Sequence, residues 1–421
     1  MIHIGTPYKE VENGISYLKA PVEISEDTVS RYIEITSSIV NCNFLTDYDY
    51  PPEKWTRDNT MWFSFPAEYA DHLCIERSNA FVVALFWYAM VTGSDISFDA
   101  PISEKLHNGI TDHLMVEMEK SGFKPVRLIG SLTAEPVASE KGVGTGMSVG
   151  VDSTYTAHCY YNDDTPSDVK LTHLTEYSGS YRLPKLEPPY DVDKVFEEYE
   201  QKYSSISSAA KKYSEYIGLP LIISSTNMDK DFYRGGLIFT AMYRFAAHSL
   251  ALEHLFSAYI SSSSGHVDHN TEVSLMTATQ NYEDLICECI QTEGFNYFTS
   301  DHEPRTEKLR AIADDTAFQK YADVCYNPSE EGINCGVCYG CWKTMIPLDI
   351  LGKLDKFDRS FKLDNYYDKR KEVFADLIEF SKRPEAFSAR KTVEQILTLA
   401  HKENNDVGNE FIEVYNEHIN R

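Results

Sequence analysis

Two groups of residues in this chain have the types and spacing to do chemistry. The first is Gly146-Met147-Ser148-Val149-Gly150-Val151-Asp152-Ser153. It lies between a short apolar run at 142–147 and a helix predicted over 154–161. A strand, a small-residue turn and a helix N-terminus together make an anion site: backbone N–H groups point out of the turn, and the helix dipole adds partial positive charge. Ser148 and Ser153 add hydroxyls, and Asp152 adds a carboxylate that can hold Mg²⁺ beside a phosphate. The stretch is not a Walker A loop, because no Lys follows its glycines at the required spacing. Nor is it a dinucleotide fingerprint, since Val149 stands where the third glycine is needed.

The second group is Cys325, Cys335, Cys338 and Cys341, spaced C-x9-C-x2-C-x2-C. Two C-x-x-C steps sharing a cysteine, with Gly336 and Gly340 between them, can wrap a tetrahedral metal. Four thiolates suit Zn²⁺, and a closed four-cysteine shell is structural, not catalytic. Zn²⁺ is the expected metal; a [4Fe–4S] cluster also takes four cysteines and is the alternative. The remaining cysteines, Cys42, Cys74, Cys159, Cys287 and Cys289, sit among apolar residues and are expected to be buried.

The elements that must position these groups come from a chain of 421 residues, long enough for two or three domains with substantial cores. Formal net charge is −26, which repels nucleic acid unless a local basic patch overrides it, and no such run of Lys or Arg occurs. Residues 1–5 lack the features of a signal peptide, and the longest apolar run, 80–91, is too short to span a bilayer. Grouped cysteines suit a reducing compartment, so a cytoplasmic protein with no membrane contact is expected.

Residues 1–125 read as an accessory α/β domain. Residues 48–55, with Pro51-Pro52, form a turn-rich surface segment. A buried helix over 80–91 ends at Gly93. Ser103 caps a helix running to Ser121, with Leu106, Ile110, Leu114 and Met118 on its buried face and His107 and His113 exposed. Residues 126–345 alternate strands and helices: strands at 126–132, 142–147, 169–174, 219–225 and 255–262, with helices over 192–217 and 236–252. This pattern implies a parallel sheet covered by helices on both faces, with ligands at the carboxyl ends of the strands. Residues 346–421 read as a helical tail, a packing or homodimer-forming appendage.

The stretch Ser148 to Ser153 resembles the pyrophosphate loop S-G-G-x-D-S of the N-type ATP pyrophosphatases, agreeing everywhere but at Val149. A β-branched residue disfavours positive φ, so either the loop keeps negative φ at Val149 or phosphate affinity falls. The cysteines, with Asn334 and Gly336 among them, resemble the zinc site of the 7-cyano-7-deazaguanine synthases within that superfamily. The resemblance spans roughly residues 126–346. It implies an adenine nucleotide alpha hydrolase-like fold and an AMP-forming ligase using ATP, Mg²⁺ and structural Zn²⁺. A carboxylate-type substrate, a 7-deazaguanine in that family, would be adenylated and then attacked by ammonia or an amine. Ser148, Val149, Gly150, Val151, Asp152 and Ser153 would bind pyrophosphate, with Asp152 and Ser153 in the catalytic set.

Further candidates lie outside these motifs. Arg305 and Lys308 open a helix and are placed to offset charge developing on phosphates; the bland alternative is a solvated helix start with an ion pair. Asn227, at a strand end, would contact substrate or adenine, or cap the next segment. Residues 261–268 would line the substrate pocket, whereas His266, Asp268 and His269 read as a polar loop more than a metal cluster. Arg244 and His248, one helical turn apart, face the rim or an ordinary polar surface. Two rival functions keep these features: an amide ligase acting on another carboxylate, such as a sugar acid or peptide terminus, and a non-catalytic nucleotide sensor or scaffold with a degenerate loop. A tRNA sulfur-transfer enzyme is disfavoured by the net charge.

Overall fold

A computed structural model describes residues 1–40, 58–177, 208–233, 240–263, 283–300, 302–325, 332–383 and 386–419. Its strands in chain order are β1 (Ile2–Ile4), β2 (Tyr8–Glu12), β3 (Ile15–Ile24), β4 (Thr60–Pro66), β5 (Ile96–Phe98), β6 (Ile102–Ser103), β7 (Leu128–Ile129), β8 (Leu132–Thr133), β9 (Gly142–Gly146), β10 (His173–Tyr177), β11 (Leu221–Thr226), β12 (Phe256–Ser261) and β13 (Asn296–Thr299). Eleven of them form one sheet in the order β13-β12-β9-β10-β11-β4-β3-β1-β5-β7, with β2 paired to β3. From β13 to β11 every pairing is parallel. β11 then meets β4 antiparallel, through Ser225↔Ser64 and Thr226↔Phe63. The protein is thus α/β, with a large, mostly parallel sheet flanked by helices and a helical C-terminal region.

The parallel half separates two cores because successive side chains of a strand point to opposite faces. On β12, Phe256 and Tyr259 enter one core while Ala258 and Ile260 enter the other. On β10, Tyr177 joins the first and Leu174 the second. The first core also takes Leu18, Phe63, Trp87 and Met118 from the N-terminal region. The second takes Phe374, Leu377, Ile396 and Phe411 from the tail. Sheet and cores therefore run across the boundaries expected at 125 and 345, and the tail packs these apolar side chains into the second core.

The apolar run at 80–91 is a helix, Asn79–Thr92, with every residue buried. A helix apolar all round belongs in an interior. It packs against the helix Ala241–Ala251 and ends at Gly93 in the left-handed region. Ser103 caps the next helix by accepting the Leu106 N–H. Gly109–Leu114 then widens to a π-helical turn before Met115–Lys120. The turn opens at a close approach that only glycine allows: a Cβ on Gly109 would lie 2.3 Å from the Cys289 carbonyl oxygen. His113 is exposed and His107 half-buried.

Several expected boundaries move. The strand expected over 126–132 is two short strands in different sheets, β7 on β5 and β8 on β6. Gly130 sits between them on the Phe98 ring, where a Cβ would come within 2.2 Å of a ring carbon. The strand expected at 169–174 starts later, at His173, because the Val169 N–H turns back to the Pro166 carbonyl. The helix expected over 192–217 is seen at 208–217 and closes at Gly218 with φ +76°. The helix expected from 236 begins at Ala241 among the described residues. Cys74, Cys287 and Cys289 are buried as expected, whereas Cys159 is only half-buried. The turn at 48–55, Cys42 and the loop holding His266, Asp268 and His269 lie outside the described residues. Among the described residues no helix is long and apolar enough to cross a membrane.

Candidate functional site

β9, β10, β11 and β12 run parallel, so Gly146, Tyr177, Thr226 and Ser261 end on one rim. β9 is glycine-rich because it lies under aromatic rings: a Cβ on Gly144 would come within 2.9 Å of both Phe256 and Tyr259. The Met147 N–H extends the ladder to the Thr175 carbonyl at 2.8 Å. The chain then turns through Ser148, Val149 and Gly150 into the helix Val151–Tyr160, whose first carbonyl bond runs from Thr154 N–H to Gly150 O at 3.0 Å.

Val149 has φ +54° and its side chain is fully buried in the second core. Of the two expectations, negative φ is therefore overturned. The loop takes the left-handed conformation and leaves a β-branched side chain in it, a strain of about 1–3 kcal/mol. Burial of a valine is worth about 1.5–3 kcal/mol, which offsets that strain. The Val149 carbonyl is also fixed: it accepts the Asp323 N–H at 3.0 Å. Ser148 and Ser153 brace the turn from inside. Ser153 Oγ donates to Gly150 O at 3.2 Å, Ser148 N–H donates to Ser153 Oγ at 3.3 Å, and Gly150 N–H donates to Ser148 Oγ at 3.3 Å.

Asp152, in the first turn of the loop helix, is clasped by two cations from the helix Arg305–Ile312. Lys308 Nζ donates to Oδ1 at 3.1 Å and Arg305 Nη1 to Oδ2 at 3.0 Å. Lys308 and Arg305 are one turn apart, which sets both on the same helix face. Lys308 is not the solvated residue of the bland reading: its side chain is 1% exposed, and it also donates to the Ser263 carbonyl. Burial pushes the Asp152 carboxyl up, but Arg305 and then Lys308 more than offset this and hold it below the usual carboxylate range.

Arg305 Nε and Thr154 Oγ1 are buried without a hydrogen-bond partner among the described residues. Arg305 Nε belongs to the guanidinium that clasps Asp152, so it is a spare donor next to that carboxylate. Residues absent from the sequence reading join them: Ser300 accepts the Ser263 N–H at 3.0 Å and lies 3.2 Å from Thr156 Oγ1, tying β13 to the loop helix. No sequence signal marks Ser300, because the strand it follows, β13, is absent from the expected strands.

Asn227 is placed differently from a free substrate ligand. Its amide donates to Thr60 O at 2.8 Å and to Asp231 Oδ2 at 2.7 Å, while its oxygen accepts the Trp62 N–H at 2.9 Å. These bonds hold β11 against β4. Arg244 and His248 do not form an exposed polar surface: both are buried, Arg244 paired with Asp229 just past the end of β11 and His248 Nδ1 2.7 Å from Ser224 Oγ.

The four cysteines converge, with all sulfurs within 4.8 Å of one another. Cys325–Cys338 and Cys335–Cys341 are 3.8 Å apart, and Cys338–Cys341 3.6 Å. Zn–S bonds of about 2.3 Å give tetrahedral edges of about 3.8 Å, so the cluster is placed to hold a metal such as zinc. Gly336 has φ +76°, and a Cβ there would meet the Lys362 carbonyl at 2.9 Å. N–H groups of Cys335, Gly336 and Val337 point at the sulfurs. Behind them Asn334 donates to Ala322 O and Ser360 O and accepts the Val324 N–H, joining the two segments that carry Cys325 and Cys335.

The two centres touch. Asp323, which holds Val149, is two residues before Cys325. Arg305 Nη2, which clasps Asp152 through its other nitrogen, reaches Thr344 Oγ1 at 3.5 Å on the helix carrying Cys341. Comparison with family models, curated proteins and solved structures found no match for this chain.

Proposed function

We propose that this chain is an AMP-forming ATP pyrophosphatase and C–N ligase of the adenine nucleotide alpha hydrolase-like fold, related in its chemistry to the 7-cyano-7-deazaguanine synthases. The observation that carries the reading is the pairing of Asp152 with Arg305 and Lys308 at the mouth of a strand–turn–helix loop. ATP would lie along the rim with its β- and γ-phosphates in the turn. Loop N–H groups, Arg305 and Lys308 would stabilise charge on the departing pyrophosphate. Each Asp152 oxygen keeps a lone pair beyond its bond to a cation, so the carboxylate can also hold Mg²⁺. Mg²⁺ when bound would neutralise phosphate charge.

The chemistry balances without a further cofactor. A substrate carboxylate oxygen attacks the α-phosphorus, and the bond to the bridging oxygen of pyrophosphate breaks. A nitrogen nucleophile, ammonia or an amine, then displaces AMP from the acyl carbon. The substrate would be a small-molecule or protein-terminus carboxylate. Incubation of the metal-loaded protein with ATP, Mg²⁺, ammonia and a panel of carboxylates tests this. AMP and pyrophosphate are expected with one class of carboxylate; ADP and phosphate as products rule the reading out.

A further inference from the structure

We propose that Cys74, Glu76 and His254 form a second metal site, taking Zn²⁺ or a similar borderline divalent cation. Their ligand atoms lie within 4.8 Å of one another, away from the four-cysteine cluster in sequence. Cys74 and Glu76 follow the short helix Ala67–His72, which ends in extended backbone at Leu73. Residues two apart in an extended chain face the same way. His254 lies in the turn between the helix Ala241–Ala251 and β12.

The histidine is oriented as a ligand. Its Nδ1 is 2.9 Å from the Ala138 carbonyl oxygen, which can only accept, so Nδ1 carries the proton. That leaves Nε2 facing Glu76 Oε1 at 2.8 Å. Two electron-pair donors at this distance need a cation between or beside them. A proton on Nε2 supplies one; a metal supplies one and also uses Cys74. A carbonyl on the remote nitrogen is the arrangement that fixes tautomer and ring in metal-bound histidines.

Charge balance supports the metal. A Cys74 thiolate and the Glu76 carboxylate neutralise a divalent ion, and the imidazole adds a neutral ligand. One sulfur, one nitrogen and one oxygen make a mixed set that suits Zn²⁺. Cys74 is 2% exposed, whereas Glu76 and His254 are half-buried, so an ion enters from their side and keeps a position there for water. Behind the sulfur, the Cys74 thiol donates to Glu253 Oε2 at 4.0 Å, and Asn79 and Thr292 also donate to that carboxylate, so metal binding displaces the thiol proton. Arg77 is the nearby cation, and its guanidinium donates to the Glu76 and Glu135 carbonyls.

The position identifies the role. The Glu140 N–H donates to His254 O, the Gly142 N–H to Leu255 O, and the Cys74 N–H to Ala251 O. The site thus lies where β9 and β12 begin, at the rim opposite the phosphate loop. A metal there would staple the N-terminal region to the parallel half of the sheet, and would not touch the reaction.

The test uses the full chain, stripped by chelation, reloaded with Zn²⁺ or Co²⁺ and desalted. Metal content is compared among wild type, Cys74→Ser, Glu76→Gln and His254→Ala, with circular dichroism as the check on folding. Each variant is expected to hold one equivalent less than wild type. In the Co²⁺ form, Cys74→Ser should lose a single-thiolate absorption while the four-cysteine bands remain. His254 is half-buried, so His254→Ala keeps the test clear of core damage. Variants that fold and hold as much metal as wild type would overturn the proposal. So would a wild type whose only metal is lost on mutating Cys338.

Discussion

Asp152 and Lys308 stand 156 positions apart in sequence, yet the lysine ammonium lies 3.1 Å from the carboxylate and is shielded from solvent. A lysine is kept in such a place only with its charge matched, so the pair joins the loop helix to the helix behind it as one unit. Lys308→Met should leave Asp152 to Arg305 alone and remove the lysine's hydrogen bond to the Ser263 carbonyl. We expect a loss of stability of about 3–5 kcal/mol by denaturant unfolding, the range for breaking a buried pair. Arg305→Met, whose partner keeps Lys308, should cost less, because only one side of the clasp is lost.

The same pair sets an acid limit. The Asp152 carboxyl is held below its usual value, so the stability it contributes is fully present above the unfolded value of about 3.9 and is lost as pH falls through the lower folded value. The difference in stability between wild type and Asp152→Asn should be flat from pH 7 to about 5 and shrink below about pH 4. A difference that grows on acidification would mean that the carboxyl is not held by cations.

Val149 yields an ordering of variants. At φ +54° glycine removes the backbone strain but leaves the core side of the position empty. Alanine loses most of the buried side chain and keeps the strain. Val149→Gly should therefore be more stable than Val149→Ala by about 1 kcal/mol, the reverse of the order at negative φ. Thermal unfolding of the two variants side by side reads this directly.

At alkaline pH the stacked pair Tyr177 and His248, 4.5 Å between ring centroids, should report the first core. Burial pushes the Tyr177 phenol up to about 12, with hydrogen bonds from Ser249 and Thr175 opposing. Its contribution is present below the unfolded value of about 10 and is lost as pH rises from there towards 12. Tyr177→Phe should lose less stability than wild type over that window. Other buried tyrosines, Tyr213 among them, will still titrate late.

Removing metal from the four-cysteine cluster should loosen the phosphate loop, because Asp323 and Thr344 link the two. Cys338→Ser should lose its metal, unfold at lower temperature and exchange the Asp323 amide faster than wild type. Unchanged protection of that amide in the metal-free protein would show the two centres to be independent.

The loop and the cysteines were legible in sequence because their parts are neighbours: eight consecutive residues in one case, a run of seventeen in the other. Strands β9 to β12 of the parallel half were legible from the alternation of apolar strands and helices, whereas the edge strand β13 was not. What was hidden depends on partners far away in sequence. The β4–β11 pairing that fuses the N-terminal region to the sheet joins residues 161 apart and has no local mark. Gly109 and Gly130 look like ordinary glycines until Cys289 and Phe98 pack on them. Asn227, Arg244 and His248 read as rim residues because polar side chains at strand ends and on helices usually face water; here each is answered by a buried partner. The sign of φ at Val149 was open for the same reason, since it is set by Asp323 and by the second core.

The most direct measurement is calorimetric titration of Mg²⁺–ATP into metal-loaded wild type and into Asp152→Asn, with the fold of both checked by circular dichroism. The account predicts that wild type binds and that the variant binds at least about tenfold more weakly, a loss of about 1.4 kcal/mol or more, because the cations lose the carboxylate that orients them. Equal binding by the two proteins, or none by a folded, metal-loaded wild type, would contradict the assignment of this loop as the nucleotide site.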